Sequence, residues 1–321
     1  MKKFKKIVVV YKGDDWKKKL PLEKHPTTRE SFEDWHERGL ARGVEMFRAS
    51  IQWYDEKKNV FRKTWAYRDK KWLKSDQPIK PDLIFDKIAG KFDYDFFEQK
   101  LRISRRVKIF NSPLFRTIFD NKLNQYIIFK DFMPASYLAD SKRDLIEGLK
   151  KIKSKKVVLK PFYGSGGFGI TITEKKKAAS LKLEYPILVQ EFVKSNKGVP
   201  GFSKKSEVAD LRMVFFNHKL IYALSRIAKR GSLFTNFHQG ATAVLVPEKN
   251  IPQSAKKIVT AITSRMKIFP QANYSIDLIY TNAGKPVLME INTTPGFDLL
   301  HLVGNEKIKN KNFLELTKVL E

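Results

Sequence analysis

The chain has 321 residues, and its 24 Phe, 11 Tyr and 5 Trp argue against a disordered protein. It contains no cysteine, which excludes disulfides, a cysteine nucleophile and cysteine-rich zinc sites. The formal net charge of +29 is spread along the chain, and it fits nucleic acid, anionic lipid, an acidic substrate, or a lysine-rich composition that only solvates the surface.

The first residues combine a basic start with a short apolar run. Four lysines precede the run Ile7 to Val10, which is too short for a secretory segment and predicts a buried strand over residues 4–10. The sequence has no stretch of about 18 apolar residues that would cross a membrane. A cytoplasmic protein is therefore expected.

The first third of the chain predicts a small α/β domain over residues 1–112. Helical spacing over residues 28–48 follows a candidate cap at Thr27–Thr28. Residues 54–76 are charged and aromatic without a clear period. Residues 81–86 are typical of another short buried strand.

The remaining two thirds predict further strands and helices. A segment from Lys194 to Ser206 is predicted to be a mobile loop. The expected helices cover residues 114–130, 140–152 and about 252–267. The expected strands cover residues 156–161, 169–173, 187–193, 211–216, 219–226, 241–246, 274–280 and 286–292.

A glycine-rich loop spans residues 164–169 and satisfies G-x-G-x-x-G. Ile170 to Thr173 is β-rich, so the loop joins two strands, whereas a dinucleotide fold needs a helix there. Kinase catalytic motifs and a Walker A loop are absent from the sequence. The pattern predicts a flap over phosphates, with a plain hairpin turn as the alternative. Lys160, among buried apolar residues just before the loop, is expected to meet an anion.

A second feature is a hairpin that carries acidic residues. If the strands 274–280 and 286–292 pair so that Thr281 faces Pro286, Asp277 lies opposite Glu290, with Asn292 on the same face as Glu290. Oxygen ligands without His or Cys favour Mg²⁺. The alternative is a solvated polar face with one carboxyl protonated.

Ordered motifs over about residues 110–300 resemble those of the ATP-grasp superfamily, and specifically its RimK-like branch. The motifs are Lys160 with its glycine loop, residues 189–193, 209–212, 225–229 and 235–241, Asp277, and residues 289–296. The resemblance implies an α/β (α+β) fold of two lobes around the nucleotide, after the small N-terminal α/β domain. The small lobe would span residues 113–190 with the glycine-rich loop, and the large lobe residues 191–321 with the Mg²⁺ site.

The resemblance also implies how ATP is bound. Lys122 and Lys160 would hold phosphates, together with the loop residues Gly164, Ser165, Gly166 and Gly167. The adenine would be read by the backbone of a linker formed by Gln190, Glu191, Phe192 and Val193. Asp210 would lie near the ribose, with Glu207 as a rival because the Lys194–Val208 insertion is long for the family.

The catalytic residues implied by the resemblance are Arg226, Lys160 and Asn236, near the transferred phosphate. Two Mg²⁺ ions, with Mn²⁺ as an alternative, would be bound by Asp277, Glu290 and Asn292.

The activity implied is an ADP-forming ligase that joins a carboxylate to an amine through an acyl phosphate. The substrate would be an amino acid, a peptide or a protein tail, and the basic surface favours an acidic one. The alternative function is a catalytically idle ATP-grasp protein that binds nucleic acid. His238 fits a structural role better than a general base, and Arg212 fits an ion pair as well as a substrate contact. The oligomeric state stays open.

Overall fold

A computed structural model of the protein describes residues 4–90, 93–195, 197–204, 207–236 and 239–321. Its helices are α1 Pro26–Leu40, α2 Tyr94–Ser104, α3 Pro113–Phe119, α4 Lys122–Phe129, α5 Lys142–Lys151, α6 Lys175–Ala178, α7 Gln253–Met266, α8 Asp298–Val303 and α9 Glu306–Thr317. Its strands are β1 Lys5–Tyr11, β2 Val44–Ser50, β3 Tyr54–Asp55, β4 Val60–Phe61, β5 Thr64–Arg68, β6 Lys71–Ser75, β7 Leu83–Asp86, β8 Ile109–Phe110, β9 Ser136–Ala139, β10 Lys156–Pro161, β11 Thr171–Glu174, β12 Ile187–Glu191, β13 Ala209–Phe216, β14 Lys219–Ile227, β15 Thr242–Val246, β16 Asn273–Tyr280 and β17 Pro286–Asn292.

The strands form three main sheets in chain order. A six-stranded sheet has the order β6-β5-β2-β1-β7-β8, with β1 parallel to β2 and β7. A four-stranded sheet follows with the order β11-β10-β12-β9, and a five-stranded sheet with the order β15-β14-β13-β16-β17. Apart from Glu191 at the end of β12, these sheets fall within the three predicted segments 1–112, 113–190 and 191–321, whose domain boundaries stay predictions.

The first predicted helix is shorter than expected. The helical spacing over residues 28–48 predicted one helix, but α1 ends at Leu40 and Val44 begins strand β2. Gly43 has a φ of +73° between them, a conformation that ends a helix. The cap prediction at Thr27–Thr28 is also wrong, because Pro26 is already the first helical residue and His25 provides no side-chain cap.

Several elements escaped prediction. The stretch 54–76, which has no clear period, contains the short strands β3 to β6. Helix α2 begins after Asp93, whose side chain accepts a hydrogen bond from the Phe96 amide at 3.2 Å. The C-terminal helices α8 and α9 were not predicted. Among the described residues, no helix has the length and apolar character needed to span a membrane.

The five-stranded sheet is covered on both faces, and strand β13 shows how. Leu211 and Met213 point into a core shared with helices α3, α4 and α7. Val214 and Phe216 point into a second core shared with the six-stranded sheet, α1 and α9. This alternation follows from the two-residue period of a strand. Arg212 is two residues before Val214 and therefore lies on the same face of the sheet. The first domain packs on this face.

The hairpin of β16 and β17 has the pairing predicted for its acidic residues. Asp277 lies opposite Glu290, although Tyr280, and not Thr281, pairs with Pro286, because a bulge between Asp277 and Leu278 shifts the register by one residue.

Helix α4 holds the outer side of β17 through one side chain. Gln125 accepts a hydrogen bond from the Ile291 amide at 2.9 Å and donates to the Ile291 carbonyl at 2.8 Å. The Gln125 side-chain amide thus makes the two backbone hydrogen bonds that a neighbouring strand would make with Ile291. Ile291 lies between Glu290 and Asn292 in the sequence.

Candidate active site

A cavity of about 130 Å³ lies between the four-stranded and five-stranded sheets. One end is apolar and the other carries charged side chains, an arrangement common in ligand sites. The apolar walls are formed by Val158, Ile170, Ile172, Phe192, Val193, Val208, Leu233, Phe234, Ile279 and Met289. The polar end is formed by Lys160, Asp210, Arg226, Thr235, Asn236, Asp277 and Glu290. Eight of the sixteen predicted site residues thus line this one cavity.

Lys160 is buried at the polar end of this cavity, 6% exposed. Burial lowers its pKa to about 8. The nearby Glu290 carboxylate raises this pKa only in part, and the Lys122 ammonium lowers it further. Its ammonium lies 3.4 Å from the Met289 carbonyl. A buried cation held this weakly is stabilised by an incoming anion.

Lys122 connects the flap to the acidic hairpin. Its ammonium lies 3.0 Å from Glu290 Oε1 and donates to the Gly164 carbonyl at 2.6 Å. It is the first residue of α4, which begins after Asn121, whose side chain caps the amides of Leu123 and Asn124. The start of α4 therefore fixes where this charge sits.

The glycine-rich flap contacts the loop that contains Asn236. Gly167 has a φ of +79°, and a Cβ there would lie 2.9 Å from Asn236 Oδ1. Only glycine meets both conditions without strain. Gly164 lines a small recess with Ser165, and Ser165 and Gly166 reach a larger cavity next to the first domain.

Two arginines and two aspartates form a buried network on the five-stranded sheet. Arg226 donates to Asp210 at 2.8 Å and to Asp277 at 2.9 Å. Arg212 donates to both oxygens of Asp277, at 2.8 and 2.6 Å, and Thr235 donates to Asp210 at 2.7 Å. Arg212 is thus in an ion pair, with Asp277 of the neighbouring strand.

These contacts decide the charge states of the network. Burial alone would lower the pKa of Arg226, but Asp210 and Asp277 more than offset it and raise that pKa. Burial likewise opposes ionisation of Asp277, yet Arg212 and Arg226 hold the pKa of its carboxyl below the usual range. Burial raises the pKa of Asp210, and the neighbouring Arg226 offsets this only in part. Arg226 and Asp277 are thus the members that these contacts keep charged.

The predicted metal ligands come together, and their chemistry fits a hard cation. Within the described part of the chain, Glu290 Oε2 and Asn292 Oδ1 accept no hydrogen bond, while the Asn292 amide donates to Asp277 Oδ2 at 3.2 Å. Asp277 already accepts hydrogen bonds from two arginines, so a cation would share its oxygens with them. No group of three His, Cys, Asp or Glu side chains among the described residues is arranged for a metal ion. The candidate predicted from the sequence is a different set, of two carboxylates and one amide, whose oxygen ligands are typical of Mg²⁺.

The predicted adenine linker is only partly at the cavity. Phe192 and Val193 line it, whereas the Gln190 side chain is buried and donates to Ser136 Oγ at 2.9 Å. Glu191 ends strand β12, and its amide donates to the Ala135 carbonyl at 2.8 Å. The backbone contacts predicted for this linker stay predictions.

Other predicted positions lie elsewhere or outside the description. Glu207, the rival for the ribose, accepts a hydrogen bond from the Lys204 amide at 2.7 Å and does not line the cavity. His238 lies outside the described residues. The insertion Lys194–Val208 is described except for positions 196, 205 and 206.

Apart from Phe192 and Val193, the apolar walls of the cavity were not predicted from the sequence. Ile172 lies on β11 and Ile170 just before that strand, two residues apart. Val158 likewise lies two residues before Lys160 on β10, so alternate residues of each segment reach the cavity. That alternation was the available signal. Thr235 gave no such signal, because its role depends on the buried Asp210.

The model of the RimK-like ATP-grasp domain matches residues 124–311, more than half of the chain. The chain belongs to the RimK-like ATP-grasp family. The resemblance stated from the motifs is thus confirmed. The probable alpha-L-glutamate ligase 1 of Shewanella denitrificans is similar to this RimK-like chain, with 29% identity over 184 residues. The match covers 56% of the chain and 57% of that protein, so the chain spans little more than half the length of the curated relatives it matches.

Two solved structures show the same fold. The D-cycloserine synthetase DcsG has a TM-score of 0.64 at 12% identity, over 98% of this RimK-like chain and 100% of that one. The ATP-grasp ligase PsnB, solved with a phosphomimetic variant of its minimal precursor, Mg and ADP, has a TM-score of 0.61 at 15% identity, over 98% of both chains. The predicted ATP-grasp fold is confirmed.

Proposed function

We propose that this RimK-like chain is an ATP- and Mg²⁺-dependent ligase of the cytoplasm that joins a carboxylate to an amine. The observation that carries the proposal is the cavity where Lys160, Arg226, Asn236 and Glu290 converge under a glycine-rich flap. The names of the similar proteins, a probable glutamate ligase among them, support the same class of reaction.

ATP would lie with its base in the apolar part of the cavity and its phosphates at the polar end. Phe192 and Leu233 offer surfaces for the base. Lys160 and Lys122 would neutralise the phosphates, and the flap residues Gly164 to Gly167 would cover them with backbone amides.

In the first step, an oxygen of the substrate carboxylate attacks the γ-phosphorus of ATP. The bond between that phosphorus and the β–γ bridging oxygen breaks, which gives an acyl phosphate and ADP. This reaction depends mostly on positioning and on neutralising charge. Arg226 and Asn236 are proposed to orient the transferred phosphate, and Asp210 and Asp277 keep the Arg226 guanidinium in place.

Asp277, Glu290 and Asn292 are the residues proposed to hold Mg²⁺, which would neutralise charge on the β- and γ-phosphates. In the second step, an amine attacks the acyl carbon, the bond to the phosphate oxygen breaks, and phosphate leaves while the amine loses a proton. No protein nucleophile is needed, which agrees with the absence of cysteine.

The test is an ADP-release screen of amino acids and short peptides, offered as pooled carboxylates and amines with ATP and Mg²⁺. Addition of hydroxylamine would trap an acyl phosphate as a hydroxamate. We expect ADP and hydroxamate from the wild type, and at least a hundredfold loss for Glu290→Gln. Glu174→Gln, an exposed carboxylate on β11, is the matched control that keeps activity. Release of AMP, or full activity in Glu290→Gln, would contradict the proposal.

A further inference from the structure

A second cavity, of about 320 Å³, lies between the first domain and the five-stranded sheet. It reaches the candidate active site through Arg226, Asn236 and the flap residues Ser165 and Gly166. Its far wall belongs to the first domain and includes Arg48 and Lys87. The family match begins at residue 124, so it assigns no role to this wall.

Arg48, on strand β2, is a buried guanidinium whose charge is incompletely compensated. It is 7% exposed, and within the described residues its Nε has no hydrogen-bond partner. The carboxylate of Asp15 lies 3.6 Å from its terminal nitrogen, and Tyr11 packs its ring 3.5 Å from the guanidinium carbon. An arginine cannot lose its proton in a protein, so burying it without full pairing is unfavourable until an anion binds.

Lys87, just after strand β7, is the second cation of this wall. Its ammonium donates to the Pro295 carbonyl at 2.6 Å and lies 4.3 Å from the centre of the Phe297 ring. Burial lowers its pKa to about 7, an effect that nearby Asp298 offsets in part and Arg116 reinforces. A bound anion would therefore also stabilise the protonated form of Lys87.

The remaining lining favours an anion over a neutral group. The first turn of α1 reaches the cavity through Thr28, and no side chain caps that helix end, whose amides favour negative charge. Asp298 is the acidic residue of the lining, and one of its buried oxygens has no partner within the described residues. Arg212 and Arg226 also line the cavity, but their charges are paired with Asp277 and Asp210.

We infer that the first domain selects an acidic substrate by holding a carboxylate between Arg48 and Lys87. The inference rests on the proposed function, because the carboxylate to be activated must lie at the other end of the same cavity, near Arg226. The substrate is thus a dicarboxylate, either a free acidic amino acid or the acidic end of a peptide. The partly unpaired Asp298 can accept a hydrogen bond from its ammonium or amide nitrogen.

The test compares probes that differ in charge but little in shape. Binding of L-glutamate, glutarate, L-glutamine and the dipeptide Glu-Glu is measured by calorimetry with a non-hydrolysable ATP analogue and Mg²⁺ present. For the wild type we expect glutamate or the dipeptide to bind at least tenfold more tightly than glutamine. Glutarate shows whether the nitrogen contributes, and the dipeptide separates a peptide end from a free amino acid.

Variants then locate the discrimination. Arg48→Gln and Lys87→Gln should each reduce the preference for the acidic probe at least tenfold, with affinity for the ATP analogue unchanged. Two matched control variants should keep the preference for the acidic probe. Arg68→Gln changes an exposed arginine on β5. Lys108→Gln changes a lysine that, like Lys87, donates to a backbone carbonyl of the last part of the chain (Val319, 2.8 Å).

The outcomes separate this inference from the proposed ligase activity. Equal binding of acidic and neutral probes, no binding of any of them, or a preference that survives in folded Arg48→Gln and Lys87→Gln overturns the subsite. Selective binding without ADP release from any substrate overturns the ligase and leaves the subsite standing. ADP release that is equally efficient with acidic and neutral substrates overturns the subsite and leaves the ligase standing.

Discussion

Lys160 illustrates, at the scale of one residue, how a site opposes the stability of its fold. Its ammonium is buried next to Lys122, and the nearest described acceptor is a backbone carbonyl at 3.4 Å. In the unfolded chain the same group is fully solvated and keeps its ordinary pKa of 10.5. The folded protein therefore holds the proton less firmly than the unfolded chain, and stability rises as the pH increases from about 8 towards 10.5.

Replacing Lys160 by Met should stabilise the fold while it weakens nucleotide binding. Removing the buried charge is expected to raise the free energy of unfolding at pH 7 by roughly 1–3 kcal/mol. Affinity for ATP should fall at least tenfold, because a phosphate partner is lost. Urea unfolding and nucleotide titration measure the two effects, with exposed Lys155→Met as the control. A variant that is less stable than the wild type would refute the idea that the Lys160 charge opposes folding.

The pH dependence of substrate affinity should report on Lys87. Its pKa of about 7 is set by burial and by three charged groups: Asp298 and Asp86 raise it, and Arg116 lowers it. Only the protonated form attracts an anion, so affinity for the acidic probe should decrease as the pH rises from 7 to 9. Calorimetry across that range should show a flat profile for Lys87→Gln. A wild-type profile that is equally flat would exclude Lys87 from the subsite.

At the scale of elements, the flap between β10 and β11 depends on how closely it approaches the loop of Asn236. Gly167 allows that approach through a positive φ and the lack of a Cβ. A side chain there would separate the flap from the polar end of the cavity.

Gly167→Ala should reduce ADP release at least tenfold with little loss of stability. The new Cβ would meet Asn236 Oδ1 at 2.9 Å, and the positive φ adds about 1 kcal/mol of strain. Gly284→Ala carries the same strain, with a φ of +81°, in an open hairpin turn where no atom lies within 4 Å. Steady-state kinetics on both variants separate contact from strain. Equal losses of ADP release in Gly167→Ala and Gly284→Ala would show that the close approach of the flap to Asn236 does not contribute to activity.

The sequence predicted most accurately those elements that depend on local patterns, and less accurately those that depend on tertiary contacts. Strands β10 to β17 were placed to within two residues at each end, because their apolar runs are bounded by loops. The pairing of Asp277 with Glu290 was correct, although the bulge that produces it has no sequence signal. The predicted helix over 28–48 failed because Val44 to Ser50 is apolar enough to fit either period, and tertiary pairing with β1 made it a strand.

The substrate-binding residues proposed for the first domain could not be predicted from the sequence. Arg48 lies on strand β2 and Lys87 just after strand β7, and they follow no motif; only the fold brings them to one cavity. Asp210 and Arg226 were each predicted for a role at the nucleotide. Their mutual ion pair depends on the register of β13 with β14, which periodicity does not determine.

At the scale of the whole molecule, the C-terminal helix α9 joins the last lobe to the first domain. Phe313 and Leu316 lie in the same core as Ile7 and Trp35. Arg38 of α1 donates to Glu306 at 2.6 Å and to Asn310 at 2.7 Å. The two ends of the chain therefore share one core.

Phe313→Ala should destabilise the whole chain, because it leaves a cavity in that shared core. Phe313 is fully buried and packs edge-on against Trp35 at 5.5 Å. We expect a loss of about 3–5 kcal/mol in the free energy of unfolding. The neighbouring Leu314 is 44% exposed, so Leu314→Ala should change it by no more than about 0.5 kcal/mol. Urea unfolding followed by tryptophan fluorescence makes the comparison; similar losses in the two would mean that α9 is not part of the core.

The bidentate contact of Gln125 with Ile291 has a consequence for assembly. Strand β17 is the last strand of its sheet, and an open backbone at such a border invites strand addition by another chain. The glutamine amide occupies both polar backbone groups of Ile291, so a foreign strand would have to expel it together with helix α4. We therefore expect Gln125 to oppose strand addition at this border, next to the side chains proposed to bind the cation.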